Sequence, residues 1–144
     1  MRPPPTRHTD YRRFTTITPR LNDTDAFGHI NNAVYYEFFD TAVMRFMIDE
    51  GCVSLEDDGP ACVVVESGCR YHSELTFSDH ITVGLRTVHV GRTSVRYEIG
   101  IFRNNGELAA ADGHFTHVFV DRDTMRPTEI PAHGREVMMR VMAG

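Results

Sequence analysis

Tryptophan is absent from this 144-residue chain, and cysteine occurs only three times, as Cys52, Cys62 and Cys69. An odd count at irregular spacing fits neither a disulfide framework nor a zinc motif, so reduced thiols and a cytoplasmic setting are the expectation. Long apolar runs are missing as well. No stretch approaches the ~20 residues that span a bilayer, and the Pro-rich, polar first ten residues lack the apolar centre of a signal peptide. Without secretion, the Asn22-Asp23-Thr24 sequon carries no meaning. Positive charge is the minority sign: 15 Lys and Arg stand against 20 Asp and Glu, a formal net charge of -5. A dedicated nucleic-acid partner is thereby excluded, because phosphate affinity needs a basic surface. Neither a Gly-rich phosphate loop nor a serine nucleophile elbow occurs.

What is present reads as one domain with mostly extended structure around one helix. Residues 1 to 10 are expected to form a loose arm. A first strand spans about Tyr11 to Thr18, where β-branched residues flank Phe14 before Pro19. From Ala33 to Glu50 apolar residues recur every three to four positions, Val34, Tyr35, Phe38, Phe39, Ala42, Val43, Phe46 and Met47 among them, and Gly51 is a natural stop. So apolar a helix belongs in a core. An acidic connector from Cys52 to Pro60 follows. Four strand segments come next: Ala61 to Glu66 with Gly68 as a bulge and Arg70 to Phe77 as its continuation; Ile81 to Val90 with a bulge near Thr87; Val95 to Ile101; and Leu108 to Val120. Asn104-Asn105-Gly106 predicts a tight hairpin, and the small residues Ala109, Ala110, Ala111 and Gly113 predict a close approach by another element. A last helix covers about Ala132 to Met142. The order gives an α+β domain, one antiparallel five-stranded sheet wrapped around one long helix, with boundaries 1–10, 11–131 and 132–144.

Chemistry concentrates between Arg20 and Tyr36, where an acidic loop runs into the helix. Asp23 and Asp25 supply carboxylates, Gly28 permits a tight backbone turn, and Asn31 or Asn32 is a suitable N-cap. A helix N-terminus offers unpaired N–H groups able to polarise a carbonyl or hold an oxyanion. Asp25 can serve as a general base or as a nucleophile; its plainer reading is a turn or capping aspartate. Asp23 reads as structural, paired with Arg20. His29 either orients the loop and touches substrate or is simply a structural histidine. The Asp23-x-Asp25-x-x-Gly28 spacing is no calcium loop, since Phe27 and Val34 occupy ligand positions. His114 and His117 point to opposite faces of one strand and share no metal.

The run Asp23-Thr24-Asp25-Ala26-Phe27-Gly28-His29-Ile30-Asn31-Asn32-Ala33-Val34-Tyr35 resembles the signature of hotdog-fold acyl-CoA thioesterases of the 4-hydroxybenzoyl-CoA thioesterase type, in the branch with long-chain acyl-CoA thioesterases. The likeness extends over roughly Tyr11 to Pro131, counted by element order. Tyr71 through Val83 resembles the family's second long strand and turn, and Gly91-Arg92-Thr93-Ser94 its Gly-Lys/Arg-x-Ser turn. Glu74 departs from it, standing where relatives often carry proline. The resemblance implies hydrolysis of an acyl-CoA to free acid and coenzyme A, without metal or redox cofactor. By the same likeness, Asp25 is the catalytic carboxylate and the Asn32 backbone amide the group that polarises the thioester carbonyl. Gly28, His29 and Tyr35, with Gly91, Arg92, Thr93 and Ser94, would contact substrate, although the last four also read as a plain hairpin turn. A homodimer or homotetramer with the acyl site at the protomer interface is implied too. Two alternatives remain open: a non-catalytic acyl-thioester or ligand-binding hotdog protein, and a hotdog hydratase or dehydratase, whose usual Asp and His pair sits on another pattern. Some branches use a helix carboxylate, which makes Glu37 the residue to watch.

Overall fold

In the computed structural model, which describes residues 2–53 and 59–144, the apolar period of the central segment produces a sixteen-residue helix, α1 (Val34–Asp49). Tyr35, Phe38, Phe39, Ala42, Val43, Phe46 and Met47 form its buried stripe. Each buried Phe there contributes roughly 1.5–3 kcal/mol by leaving water. Five strands receive that stripe: β1 (Arg13–Ile17), β2 (Ala61–Tyr71), β3 (Ile81–Val90), β4 (Ser94–Arg103) and β5 (Ala111–Val120). They pair antiparallel in the order β1-β3-β4-β5-β2, which leaves β1 and β2 on the edges. This is the hotdog arrangement. Period-2 alternation turns Val95, Tyr97, Ile99 and Ile101 of β4 fully inward, onto Phe39, Phe46 and their neighbours. On the outer face Tyr11, Phe102 and Ala109 form a second, smaller apolar cluster, with Phe14 packed against it.

Several boundaries differ from the sequence expectation. The segment expected as a loose arm is tied down from Thr6 onward: Thr6 N–H donates to Asp112 (2.9 Å), His8 N–H to Glu107 O (2.8 Å), and His8 stacks on Phe14 at 4.0 Å. β2 runs unbroken past Gly68 and ends at Tyr71, with its irregularity between Val64 and Glu66, because pairing with β5 continues on both sides. The expected continuation to Phe77 is loop, and β5 starts at Ala111. Residues 54–58 of the acidic connector lie outside the described residues. The bulge near Thr87 is there, and it receives the C-terminal segment: Thr87 donates its hydroxyl to Met138 O (2.7 Å) in the last turn of α2 (Ala132–Arg140) and its N–H to Val141 O (3.1 Å) just past it. Asn104 and Asn105 take φ of 54° and 59° and Gly106 N–H closes on Arg103 O at 2.9 Å, so the tight turn forms, but not a tight hairpin: β4–β5 pairing stops at Ile101 and Ala111, because Leu108 and Ala109 pair with Arg7 and Thr6 instead. Among the described residues no helix is long and apolar enough to cross a membrane.

Candidate active site

After β1 a single 3-10 turn, Leu21–Asp23, brings the chain round to the site. Asp23 holds that turn. Its carboxylate accepts the Arg20 backbone N–H at 2.7 Å and the Arg20 guanidinium at 2.9 Å, and it is only 2% exposed. Burial by itself raises its carboxyl, but the Arg20 backbone N–H and guanidinium outweigh burial and hold it below the usual range. The Asp23 carbonyl then accepts the Asn31 N–H at 2.8 Å, closing the stretch between them.

Inside that closure, Thr24 pairs with Ile30 and the chain from Asp25 to His29 turns back on itself. Asp25 donates its N–H to His29 O at 2.8 Å. One oxygen of its carboxylate, Oδ1, accepts the Phe27 N–H (2.8 Å) and the His29 N–H (3.2 Å). Among the described residues the other oxygen, Oδ2, has no hydrogen-bond partner. Gly28 sits at φ +83°, a conformation other residues adopt at a cost, although space is open where a side chain would be. The result is a carboxylate fixed through one oxygen and available through the other.

The helix start is built differently from the expectation. Ala33 occupies the cap position in helical φ/ψ and caps nothing; Asn31 Oδ1 accepts the Ala33 N–H at 2.9 Å, and the Asn32 side chain makes no cap. The opening turn closes with bonds from Val34, Tyr35 and Tyr36 to the carbonyls of Asn31, Asn32 and Ala33 (2.9, 3.3 and 3.2 Å). The Asn32 N–H is left without a partner among the described residues. It is a donor at a helix N-terminus, one residue beyond the Asp23–Asn31 closure that holds Asp25.

The remaining expected contacts divide. His29 is partly exposed, its Nδ1 3.6 Å from Glu74, the position of the departure from the family pattern. Tyr35 is 1% exposed beneath Tyr71, and burial pushes its hydroxyl up to about 12, so it backs the site from the core side. Tyr36, exposed, and Tyr71, half-buried, are the tyrosines with open surface here. Gly91, Arg92, Thr93 and Ser94 connect β3 to β4, at the end of the sheet away from Ile81 and the Asp25 loop, the ten residues of β3 spanning roughly 30 Å. Within one chain they do not meet Asp25. Arg92 pairs there with Glu129 at 3.1 Å, and Arg135 donates to Gly91 O at 2.6 Å.

Glu37 lies on the other flank of α1, 3.8 Å from Arg20, in an open cleft of about 580 Å³ lined also by Thr15, Asp40 and Arg45. Desolvation raises the Asp40 carboxyl in that cleft. Sequence reasoning missed Asp40 and Tyr71. Asp40 falls within the polar positions of an otherwise apolar helix, and Tyr71 is 39 residues from the Asn32 carbonyl it reaches. Only pairing of β2 with β5 supplies that proximity. Among the described residues no group of three or more His, Cys, Asp or Glu is placed to hold a metal.

A five-stranded antiparallel sheet around one helix, with a carboxylate loop at the helix start, defines a hotdog protein of the thioesterase kind. The chain belongs to the thioesterase-like superfamily, which residues 19–140 match. It is 36% identical to the PA5185 protein from Pseudomonas aeruginosa strain PAO1, whose crystal structure superposes with a TM-score of 0.95 over 98% of this chain and 99% of that one. A thioesterase from Thermus thermophilus, complexed with coenzyme A and Zn, is 26% identical with a TM-score of 0.74, covering 92% of this chain and 95% of that one. Among curated proteins, the chloroplastic acyl-acyl carrier protein thioesterase ATL2 of Arabidopsis thaliana is 26% identical over 115 residues, 78% of this chain. The chain spans 61% of that relative's length.

Proposed function

We propose that this protein is an acyl-CoA thioesterase of the 4-hydroxybenzoyl-CoA thioesterase type, hydrolysing an acyl-CoA to the free acid and coenzyme A. The observation that carries the reading is that one short segment leaves two groups unspent among the described residues: Asp25 Oδ2 inside the Asp23–Asn31 closure and the Asn32 N–H just after it, at the helix start. The amide donates to the thioester oxygen and stabilises the negative charge that develops there. Asp25 Oδ2 takes a proton from water as the water oxygen attacks the carbonyl carbon. The C–S bond then breaks, and the proton returns to the departing thiolate. Alternatively, the carboxylate attacks the carbonyl itself, the C–S bond breaks to expel the coenzyme A thiolate, and water hydrolyses the resulting anhydride to the free acid and the restored carboxylate, the released proton going to the thiolate. Neither route calls on a metal or redox cofactor. The coenzyme A held by the Thermus relative supports a CoA ester as substrate.

The reading includes a second copy of the chain. Val64 and Val65, 47% and 58% exposed, lie on edge strand β2. Two such edges paired antiparallel about a two-fold axis bring the Gly91–Ser94 end of one protomer to the Asp25 end of the other. Residues that are far apart in one chain then serve one site, in a dimer or a dimer of dimers.

Free-thiol release from a panel of acyl-CoAs tests the activity. The wild type is expected to turn over at least one ester, and Asp25→Asn, which keeps shape but loses the base or nucleophile, to lose roughly 10²-fold or more in kcat. Undiminished turnover by Asp25→Asn removes Asp25 from the mechanism. Absence of turnover with any ester, together with measurable acyl-CoA binding, identifies a binding protein instead.

A further inference from the structure

We infer that Tyr71 is a positioning residue for this reaction: its hydroxyl, reaching from the end of β2, holds the first turn of α1 so that the Asn32 N–H faces the thioester oxygen. The inference rests on the reading of Asn32 as the carbonyl-polarising amide.

Asn32 belongs to two peptide groups: the first carries the N–H that would meet the substrate, and the second, which carries the Asn32 carbonyl, fixes how Asn32 sits at the helix start. The first, between Asn31 and Asn32, is clamped on its carbonyl side, because Asn31 O accepts the Val34 N–H at 2.9 Å. The second, between Asn32 and Ala33, is held on its N–H side by Asn31 Oδ1 at 2.9 Å and on its carbonyl side by a longer bond from the Tyr35 N–H at 3.3 Å. To that same carbonyl the Tyr71 hydroxyl donates a hydrogen bond, at 3.1 Å. Rotation of the second peptide breaks all three bonds at once.

Tyr71 is itself well anchored. Its backbone pairs with Ala111 of β5, and its ring meets the Tyr35 ring edge-on at 4.9 Å. The sheet thereby supports the helix start through a group contributed from 39 positions away. Burial, followed by the neighbouring Cys69 and Tyr36, pushes the hydroxyl far above its ordinary range. It therefore stays protonated, a hydrogen-bond donor, near neutral pH.

Tyr71→Phe keeps the ring packing and removes only the hydroxyl. One neutral hydrogen bond is worth about 0.5–1.5 kcal/mol, so kcat is expected to fall roughly two- to tenfold, with KM within about twofold. Both limbs of the pH–rate profile are expected to stay in place. Amide exchange at Ala33 to Tyr36 is expected to quicken while the melting temperature holds. Unchanged kcat with unchanged exchange overturns the inference. So does a displaced alkaline limb, which would make the hydroxyl an acid, or a kcat loss accompanied by a matching loss of stability. The exchange measurement needs no turnover: if Asp25→Asn proves as active as the wild type, the functional reading fails while the hold of Tyr71 on the turn is still decided.

Discussion

His117, on the inner face of β5, is 2% exposed, meets the rings of Phe115 and Tyr97 edge-on at 5.0 and 6.2 Å, and leaves its Nδ1 without a partner among the described residues. Burial lowers its pKa to about 4, against ~6.5 for an unfolded histidine. Between those values the unfolded chain binds the extra proton, so stability rises with pH across the window. The contribution is complete above pH ~6.5 and is lost as pH falls towards 4, about 3 kcal/mol in all. Urea midpoints measured from pH 7 to 4 should decline in the wild type and flatten in His117→Leu; parallel curves would contradict this. The cysteines also answer to burial, which pushes the thiols of Cys52 and Cys69 up to about 11 and Cys62 to about 12, so thiolate chemistry near neutral pH is disfavoured. The aspartate pair separates by the same logic of partners. Asp23 is spent on Arg20, and Asp25 keeps an oxygen free. The sequence already read Asp23 as the partner of Arg20, and the hydrogen bonds bear that pairing out.

Among the elements, β2 and a side chain of α1 both press on Gly113 of β5. A Cβ there would stand 2.0 Å from Gly68 O and 2.8 Å from Phe39 Cε2, inside contact distance on two sides. The small residues at the start of β5 predicted a close approach, and Phe39 and the backbone of β2 are what approach. Gly113→Ala is therefore expected to cost about 1–3 kcal/mol or more and to lower Tm by roughly 5 °C or more, read by thermal unfolding. A Tm within a degree of wild type would show that α1 and β2 can retreat without penalty. The strand boundaries that differed from expectation share a cause: alternation marks which residues face inward, whereas cross-strand pairing decides how long a strand continues. Gly68 read as a bulge because local pattern carries no information about β5, whose regular pairing runs through it.

Across the whole molecule, the two unspent groups of the site lie at one end of the sheet and the Gly91–Ser94 turn at the other, so assembly becomes part of the functional question. Val65→Lys puts a charge on the exposed edge of β2. If two such edges pair, the variant should sediment as a monomer and lose thiol release together with its partner. Unchanged sedimentation would rule out pairing through β2. The net charge of -5 is spread over a fold whose outer sheet face carries ion pairs such as Arg86 with Glu98 and Arg96 with Glu66. Such exposed pairs add little stability each, and the core cluster around α1 carries the fold.

The sequence alone determined the element order, the burial of α1, the Asn104–Asn105 turn and the stretch where chemistry belongs, because these follow from local periodicity, turn conformations and a contiguous motif. Tertiary structure decided what depends on residues distant in the chain: the strand order, the tie from Tyr71 to Asn32 and the separation of Gly91–Ser94 from Asp25. Those outcomes come from long-range strand pairing, which brings together residues whose relation no local pattern records.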